Sequence, residues 1–177
     1  MGYDIYFVRR DPGGSFEDAL ADIEDSYDEG DPGPLTSVEL EQWDTLLPRA
    51  REILGLVEVF EDDRTRELFA VDTGIQLSLF AGEVSVTVPY KHGTEAALVV
   101  MHKVYSLSRA VEDATGLEGY DPQLEEPVHL QHLSAAAARL QARSRREDPA
   151  PGVPADSSSP ADPAGPAGKW WQKIWRG

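Results

Sequence analysis

The chain has 177 residues, of which 32 are acidic and 16 basic, and its formal net charge at pH 7 is −16. This charge argues against direct nucleic-acid binding, because contacts to phosphates require a positive surface. The chain has no cysteine, which excludes disulfides, thiolate metal sites and a thiol nucleophile. The sequence shows neither a secretory signal pattern nor an apolar run long enough to span a membrane, so we expect a cytoplasmic protein.

The first elements in chain order are a strand and two helices. Residues 3–8 are aromatic and β-branched, which favours a strand inside a sheet. A helix follows that is capped at Ser15, and its Phe16 is expected to face the core. A second helix begins after a hydroxyl cap at residues 36–37. It contains Pro48, so we expect a kink or two short helices there.

An amphipathic β-hairpin is the clearest local feature of the sequence. Two residues separate segments 75–80 and 83–88, in which apolar and polar side chains alternate. A two-residue loop places Leu79 opposite Val84, and the apolar face continues at every second residue. The hairpin therefore predicts an antiparallel sheet that is covered on one side and polar on the other.

Further elements flank this hairpin. Short strands at residues 56–60 and 68–71 indicate a β-meander. The longest helix spans residues 94–115 and is a natural cover for the hairpin. A strand at residues 117–120 and a last helix at residues 127–146 follow. The apolar stripe of the longest helix comprises Ala97, Leu98, Met101, Val104, Tyr105, Leu107, Ser108 and Val111, and that of the last helix comprises Leu130, Leu133, Ala137 and Leu140.

The composition changes abruptly near the C-terminus. Residues 147–168 are rich in Pro, Ala, Gly, Ser and Asp and are predicted to form a disordered linker. Residues 169–177 contain three of the four tryptophans and three basic residues. We therefore predict one α+β domain, residues 1–146, with a mainly antiparallel sheet and helices packed on one face. The linker and an aromatic-basic peptide follow it.

The aromatic-basic peptide is a candidate binding segment. In a helix its apolar side chains would gather on one side: Trp170, Trp171, Ile174 and Trp175. Such a segment suits a groove on a partner protein, a membrane surface with anionic lipids, or the acidic body of its own domain. The sequence leaves these three alternatives open.

No catalytic or phosphate-binding motif is present. His129 and His132 have a spacing that suits metal ligands, but no third ligand lies at a recognisable spacing, so we predict neither a metal nor a cofactor. Candidate ligand-binding residues near the end of the sheet are Tyr90, His92, Asp121 and Gln123. Asp121 precedes a proline, and its carboxylate is expected chiefly to hold a turn at the strand end; a binding contact is the alternative.

The first helix carries many carboxylates. Their order does not match a calcium-binding loop, which needs ligands at alternate positions, a glycine and a final glutamate. They are expected to face solvent, and they form a candidate patch for a basic protein partner. The patch comprises Glu17, Asp22, Asp25 and Asp28.

Two stretches carry a resemblance to a known family. Residues 1–6 read Met-Gly-Tyr-Asp-Ile-Tyr, and residues 114–123 read Ala-Thr-Gly-Leu-Glu-Gly-Tyr-Asp-Pro-Gln. The chain thereby resembles, over residues 1–124, a family of small uncharacterised bacterial proteins that pair a Tyr-Asp-(Ile/Leu)-Tyr start with a Thr-Gly…Asp-Pro-Gln finish. Such proteins are similar in size and acidity to immunity proteins of bacterial toxin systems. The resemblance supplies no catalytic residues.

The sequence thus favours a non-enzymatic cytoplasmic protein-interaction module, with immunity-type inhibition of a basic toxin as its particular form. One alternative is a small-ligand binder or enzyme with a site near Tyr90, His92 and Asp121. Another is a membrane-surface adaptor that is anchored through residues 169–177. The oligomeric state is not predicted.

Overall fold

The computed structural model describes residues 2–28, 33–80, 82–90, 92 and 94–147. Over these residues the chain has an α+β fold, with four α-helices and one seven-stranded sheet in which all neighbouring strands are antiparallel. The fold class predicted from the sequence is confirmed. Apart from residue 147, the predicted linker and the aromatic-basic peptide lie outside the described residues.

The elements follow one another closely along the chain. They are β1 (Gly2–Val8), α1 (Phe16–Asp28), α2 (Ser37–Leu54), β2 (Val57–Glu61), β3 (Thr65–Ala70), β4 (Gln76–Phe80), β5 (Glu83–Pro89), α3 (Thr94–Thr115), β6 (Glu118–Asp121), β7 (Glu126–Pro127), a 3₁₀ turn (Leu130–His132) and α4 (Leu133–Glu147). The strand order is β2-β3-β4-β5-β1-β6-β7. A four-stranded meander is thus extended by β1, which lies between β5 and β6.

The register of the β4–β5 hairpin is the predicted one. Leu79 pairs with Val84 and Leu77 with Val86, and all four side chains are buried. Gly82 in the turn has φ 83°, a left-handed conformation that glycine adopts without a steric cost. The alternation of apolar and polar residues was therefore enough to fix which face of each strand is buried.

The main core lies between one face of the sheet and three helices. On β1, Tyr3, Ile5 and Phe7 point to this face and are buried. Helices α2, α3 and α4 pack against it, with α3 in contact with both of the others. Trp43 of α2 and Met101 of α3 are among the fully buried side chains. The predicted helical cover on one face is confirmed for these three helices.

Helix α1 lies on the opposite face, over β1 and β6. Tyr6 of β1 pairs with Tyr120 of β6, so both point away from the face that carries Ile5. The Phe16 ring stacks on the Tyr120 ring with a centroid distance of 4.7 Å. With Val8 these residues belong to a second apolar cluster that is separate from the main core. Phe16 is thus buried as expected, but against the other side of the sheet.

Pro48 does not divide α2 into two helices, and that alternative is wrong. The helix begins with a capping box in which Thr36 accepts from the Glu39 backbone N–H and Glu39 accepts from the Thr36 N–H. It continues past Pro48 to Leu54. Pro48 is exposed, whereas Ala50 and Leu54 after it are buried. Burial on both sides of the proline keeps the helix continuous despite the missing backbone N–H.

Two further expectations about helices are corrected. The last helix begins at Leu133, not at Pro127, because Pro127 pairs with Tyr120 in the sheet and a 3₁₀ turn follows. Leu130 is consequently 67% exposed. Leu98 in α3 is 50% exposed, since it lies about 100° around the helix from the buried Ala97.

Candidate functional site

Asp121, the last residue of β6, is fully buried, and two tyrosine hydroxyls and two backbone N–H groups donate hydrogen bonds to its carboxylate. Its Oδ2 accepts from the Tyr3 hydroxyl at 2.6 Å and from the Tyr105 hydroxyl at 2.9 Å. Its Oδ1 accepts from the backbone N–H groups of Gln123 at 3.0 Å and Leu124 at 3.3 Å. Both carboxylate oxygens are therefore satisfied by the protein itself.

This network joins distant parts of the chain. Tyr3 lies on β1 and Tyr105 on α3, and the hydrogen bond from Tyr3 to Asp121 connects residues 118 positions apart. The Gln123 side-chain nitrogen, oriented toward its acceptors, donates to the Asp4 backbone carbonyl at 2.9 Å and to Asp121 Oδ1 at 3.2 Å. The two stretches that carry the family resemblance are thus neighbours in the fold, and the conformation of each is held by the other.

Burial sets the electrostatics of this network. Desolvation raises the pKa of Asp121, while the hydrogen bonds from the tyrosines and from the backbone oppose the rise. Desolvation and the nearby Asp121 carboxylate raise the pKa of Tyr3 and of Tyr105 well above the ordinary tyrosine value. Both phenols therefore remain protonated donors at neutral pH, as a structural clamp requires.

Tyr90 and His92 lie beyond the end of β5 and are both buried. Tyr90 is close enough to Tyr3 to contribute to the rise in the Tyr3 pKa. The structure thus brings Tyr90, Asp121 and Gln123 into one neighbourhood around Tyr3. Asp121 uses its oxygens within the protein, and this geometry favours the predicted turn-holding role of the carboxylate over a catalytic one.

The candidate acidic patch lies on α1. Glu17 and Asp22 are exposed. Glu17 Oε1 accepts from the Tyr120 hydroxyl at 3.4 Å, and burial together with this carboxylate raises the pKa of Tyr120 to about 12. Asp25 and Asp28 belong to the same helix, but their side chains lie outside the described residues. The described part of the patch is therefore presented on the side of the sheet opposite α2–α4.

His129 directly precedes the 3₁₀ turn, and His132 is its last residue. The ring centroids of His129 and His132 are 6.0 Å apart in an edge-on arrangement. The His132 Nδ1 lies 3.3 Å from the Pro127 backbone oxygen. Among the described residues, no three His, Cys, Asp or Glu side chains are grouped so that they could hold a metal ion. Of the remaining candidates, Trp170, Trp171, Ile174 and Trp175 lie outside the described residues.

Two aromatic residues at the β2–β3 end of the sheet were not among the predicted binding residues. Phe60 is 55% exposed and Phe69 is 41% exposed, both on the face opposite α2–α4. In β3, Leu68 is buried and its neighbour Phe69 is not, as alternation along a strand requires. Once Leu68 is assigned to the core, the phase of the strand places Phe69 on the outer face, so this signal was present in the sequence.

The fold and the site define an α+β protein that is held together by a buried carboxylate–tyrosine network. Comparisons with protein-family models, with curated proteins and with solved structures find no match to this chain. The family resemblance of residues 1–124 stays a prediction. None of the described helices is both long enough and apolar enough to cross a membrane.

Proposed function

We propose that the chain is a non-enzymatic cytoplasmic protein-interaction module whose acidic α1 surface binds a basic protein. One observation carries this proposal: Glu17 and Asp22 are exposed on a helix that stands on the outer side of the sheet, away from the main core. A helix in this position presents its polar side to an approaching partner.

The charge of α1 supports the same conclusion. The helix has acidic residues in its first turn and no basic residue anywhere along its length. Its carboxylates are therefore not neutralised within the helix, and the whole chain, α1 included, has a net charge of −16. A surface of this kind increases the rate of encounter with a basic partner and disfavours acidic ones.

Inhibition of a basic toxin, as in immunity proteins, is the particular form of this function that we propose. It rests on the similarity in size and acidity to those proteins. The buried network is consistent with a binding scaffold, because hydrogen bonds from Tyr3, Tyr105 and the backbone occupy both oxygens of Asp121. We therefore assign this carboxylate to the fold and the partner contact to α1.

Charge reversal tests the proposal. The full chain is used to retain proteins from a lysate of the source cells, and the retained proteins are identified by mass spectrometry. The test variant carries Glu17→Lys, Asp22→Lys, Asp25→Lys and Asp28→Lys. We expect it to retain a basic partner at least about tenfold less than the wild type, since like charges across an interface cost several kcal/mol.

A control variant has the same change in net charge at four exposed positions elsewhere: Glu41→Lys, Asp44→Lys, Glu52→Lys and Asp72→Lys. It is expected to retain the partner nearly as well as the wild type. Equal loss in both variants would show that only total charge matters, and equal retention in both would remove α1 from the interface.

A further inference from the structure

The outer face of the sheet carries alternating aromatic and acidic side chains at its β2–β3 end. Glu58 lies directly opposite Phe69 and Phe60 lies directly opposite Glu67, so the four side chains share one face and each phenyl ring faces a carboxylate across the strands. We call these four residues the aromatic–acidic patch. Of the described elements, α1 packs on this face, and it does so over β1 and β6. The patch lies at the other end of this face, where Phe60 and Phe69 remain exposed among the described residues.

The patch has a defined chemical preference. Single exposed apolar residues are common, but here two phenylalanines lie on adjacent strands beside two carboxylates. Phenyl rings bind other aromatic rings and cations, and carboxylates bind cations. The Glu67 carboxylate is partly desolvated, and this raises its pKa. The surface therefore suits a ligand that offers aromatic rings and positive charges at close spacing.

We propose that residues 169–177 of the same chain bind to the aromatic–acidic patch. This segment reads Lys-Trp-Trp-Gln-Lys-Ile-Trp-Arg-Gly and so combines three indole rings with three positive charges. Its tryptophans match Phe60 and Phe69, and its basic side chains match Glu58 and Glu67. Charge complementarity thus selects the C-terminal segment over a second copy of the acidic domain.

The connection is long enough for this contact. Helix α4 ends at Glu147, and residues 148–168 join it to the segment. Such a connection spans up to about 70 Å when extended. A domain of this size has a radius of gyration of about 15 Å, so every point of its surface is within reach. Binding within one chain also benefits from an effective concentration in the millimolar range, so a weak contact is sufficient.

The proposal is independent of the acidic patch on α1. It gives the chain a second, internal interaction surface, which a partner or a membrane would have to displace before it could engage the tryptophans. Its failure would leave the proposed binding through α1 unaffected, because the two surfaces share no residue.

Tryptophan fluorescence of the full chain tests this contact. Trp43 is 1% exposed, so quenching by acrylamide reports mainly on the three C-terminal tryptophans. We expect these to be quenched two- to threefold less in the wild type than in a Phe60→Ser, Phe69→Ser variant. A control variant with Leu98→Ser and Leu130→Ser, which alters two exposed apolar residues away from the patch, should behave like the wild type.

A second variant carries Glu58→Lys and Glu67→Lys, and it should also expose the tryptophans to acrylamide. It keeps the test decisive if the serine variant fails to fold. Equal quenching in the wild type and both patch variants would overturn the proposal. Protection that appears only at high protein concentration would assign the segment to a second copy. Protection that appears only with phosphatidylglycerol vesicles would assign it to a membrane. Either result would equally overturn the internal contact.

Discussion

Asp121 is the residue on which the central contacts of the fold converge. Replacing it by alanine leaves the buried hydroxyls of Tyr3 and Tyr105 without their acceptor. A buried donor without a partner costs about 1–3 kcal/mol. We therefore expect Asp121→Ala to lower the free energy of unfolding by about 3 kcal/mol, measured by urea denaturation.

The tyrosines provide the control for this measurement. Tyr3→Phe removes one donor and keeps the ring, so its cost should be smaller than that of Asp121→Ala. In a double-mutant cycle, Tyr3 and Asp121 should show a coupling free energy of about 1–2 kcal/mol. A cost of Asp121→Ala below about 0.5 kcal/mol, as for an ordinary surface substitution, would refute the structural role of the network.

The raised pKa of Asp121 predicts a pH dependence with a definite sign. Because burial raises this pKa, the folded state binds the proton more tightly than the unfolded state. The stabilisation from this group is present below the unfolded value of about 4 and is lost as the pH rises through the folded value. Asp121→Asn removes the titration while keeping the shape of the side chain.

We therefore expect the unfolding free energy of the wild type, minus that of Asp121→Asn, to decrease from pH 3 to pH 7. Urea denaturation at several pH values measures this difference, and the other carboxylates cancel because both proteins carry them. A difference that increases with pH would mean that hydrogen bonding outweighs burial at Asp121 and that its pKa is lowered.

Part of the Asp121 hydrogen-bond network could be predicted from the sequence. Asp121 before Pro122 predicted a carboxylate that holds the turn at the strand end, and its bonds to the backbone N–H groups of Gln123 and Leu124 agree with this. The bonds from Tyr3 and Tyr105 were not foreseen. They depend on the approach of β1 and α3, which no local pattern encodes.

At the scale of elements, Pro48 offers a direct test of how α2 is stabilised. The residue is exposed within a continuous helix, where it lacks the N–H that would donate to the carbonyl of residue 44. Pro48→Ala should restore this bond and improve the helix propensity. We expect a gain of about 1–2 kcal/mol in unfolding free energy, because the more flexible unfolded chain offsets part of the benefit.

Chemical denaturation of Pro48→Ala checks this prediction, with Thr45→Ala on the same exposed side of α2 as the control. The control should change stability by less than about 0.5 kcal/mol. A loss of stability in Pro48→Ala would show that α2 depends on the proline and that burial on both sides of it is not what keeps the helix continuous.

Local periodicity predicted some elements well and others poorly. The β4–β5 register followed from the alternation around Gly82, and the bounds of α3 followed from its apolar stripe and the glycine after it. The start of α4 did not follow, because Leu130 and Leu133 fit a helix equally well in sequence. Pairing of Pro127 with Tyr120 decided that boundary, and this is a contact between segments.

At the scale of the molecule, the sequence indicated an α+β domain but not its strand order. The central position of β1, between β5 and β6, depends on pairing over most of the length of the chain. The same limitation applies to α1, whose apolar residues predicted burial but not the side of the sheet. The open aromatic–acidic patch follows from that placement, because the other three helices share the opposite face.

We propose that the buried Asp121 network serves the fold and that α1 serves partner recognition. Urea denaturation and partner retention, measured together on Asp121→Asn and on the fourfold α1 charge reversal, separate these two roles. We expect folded Asp121→Asn to unfold more easily and to retain the partner, whereas the α1 variant should unfold like the wild type and lose the partner. Loss of the partner by folded Asp121→Asn, with full retention by the α1 variant, would show that partner binding depends on the network and not on α1.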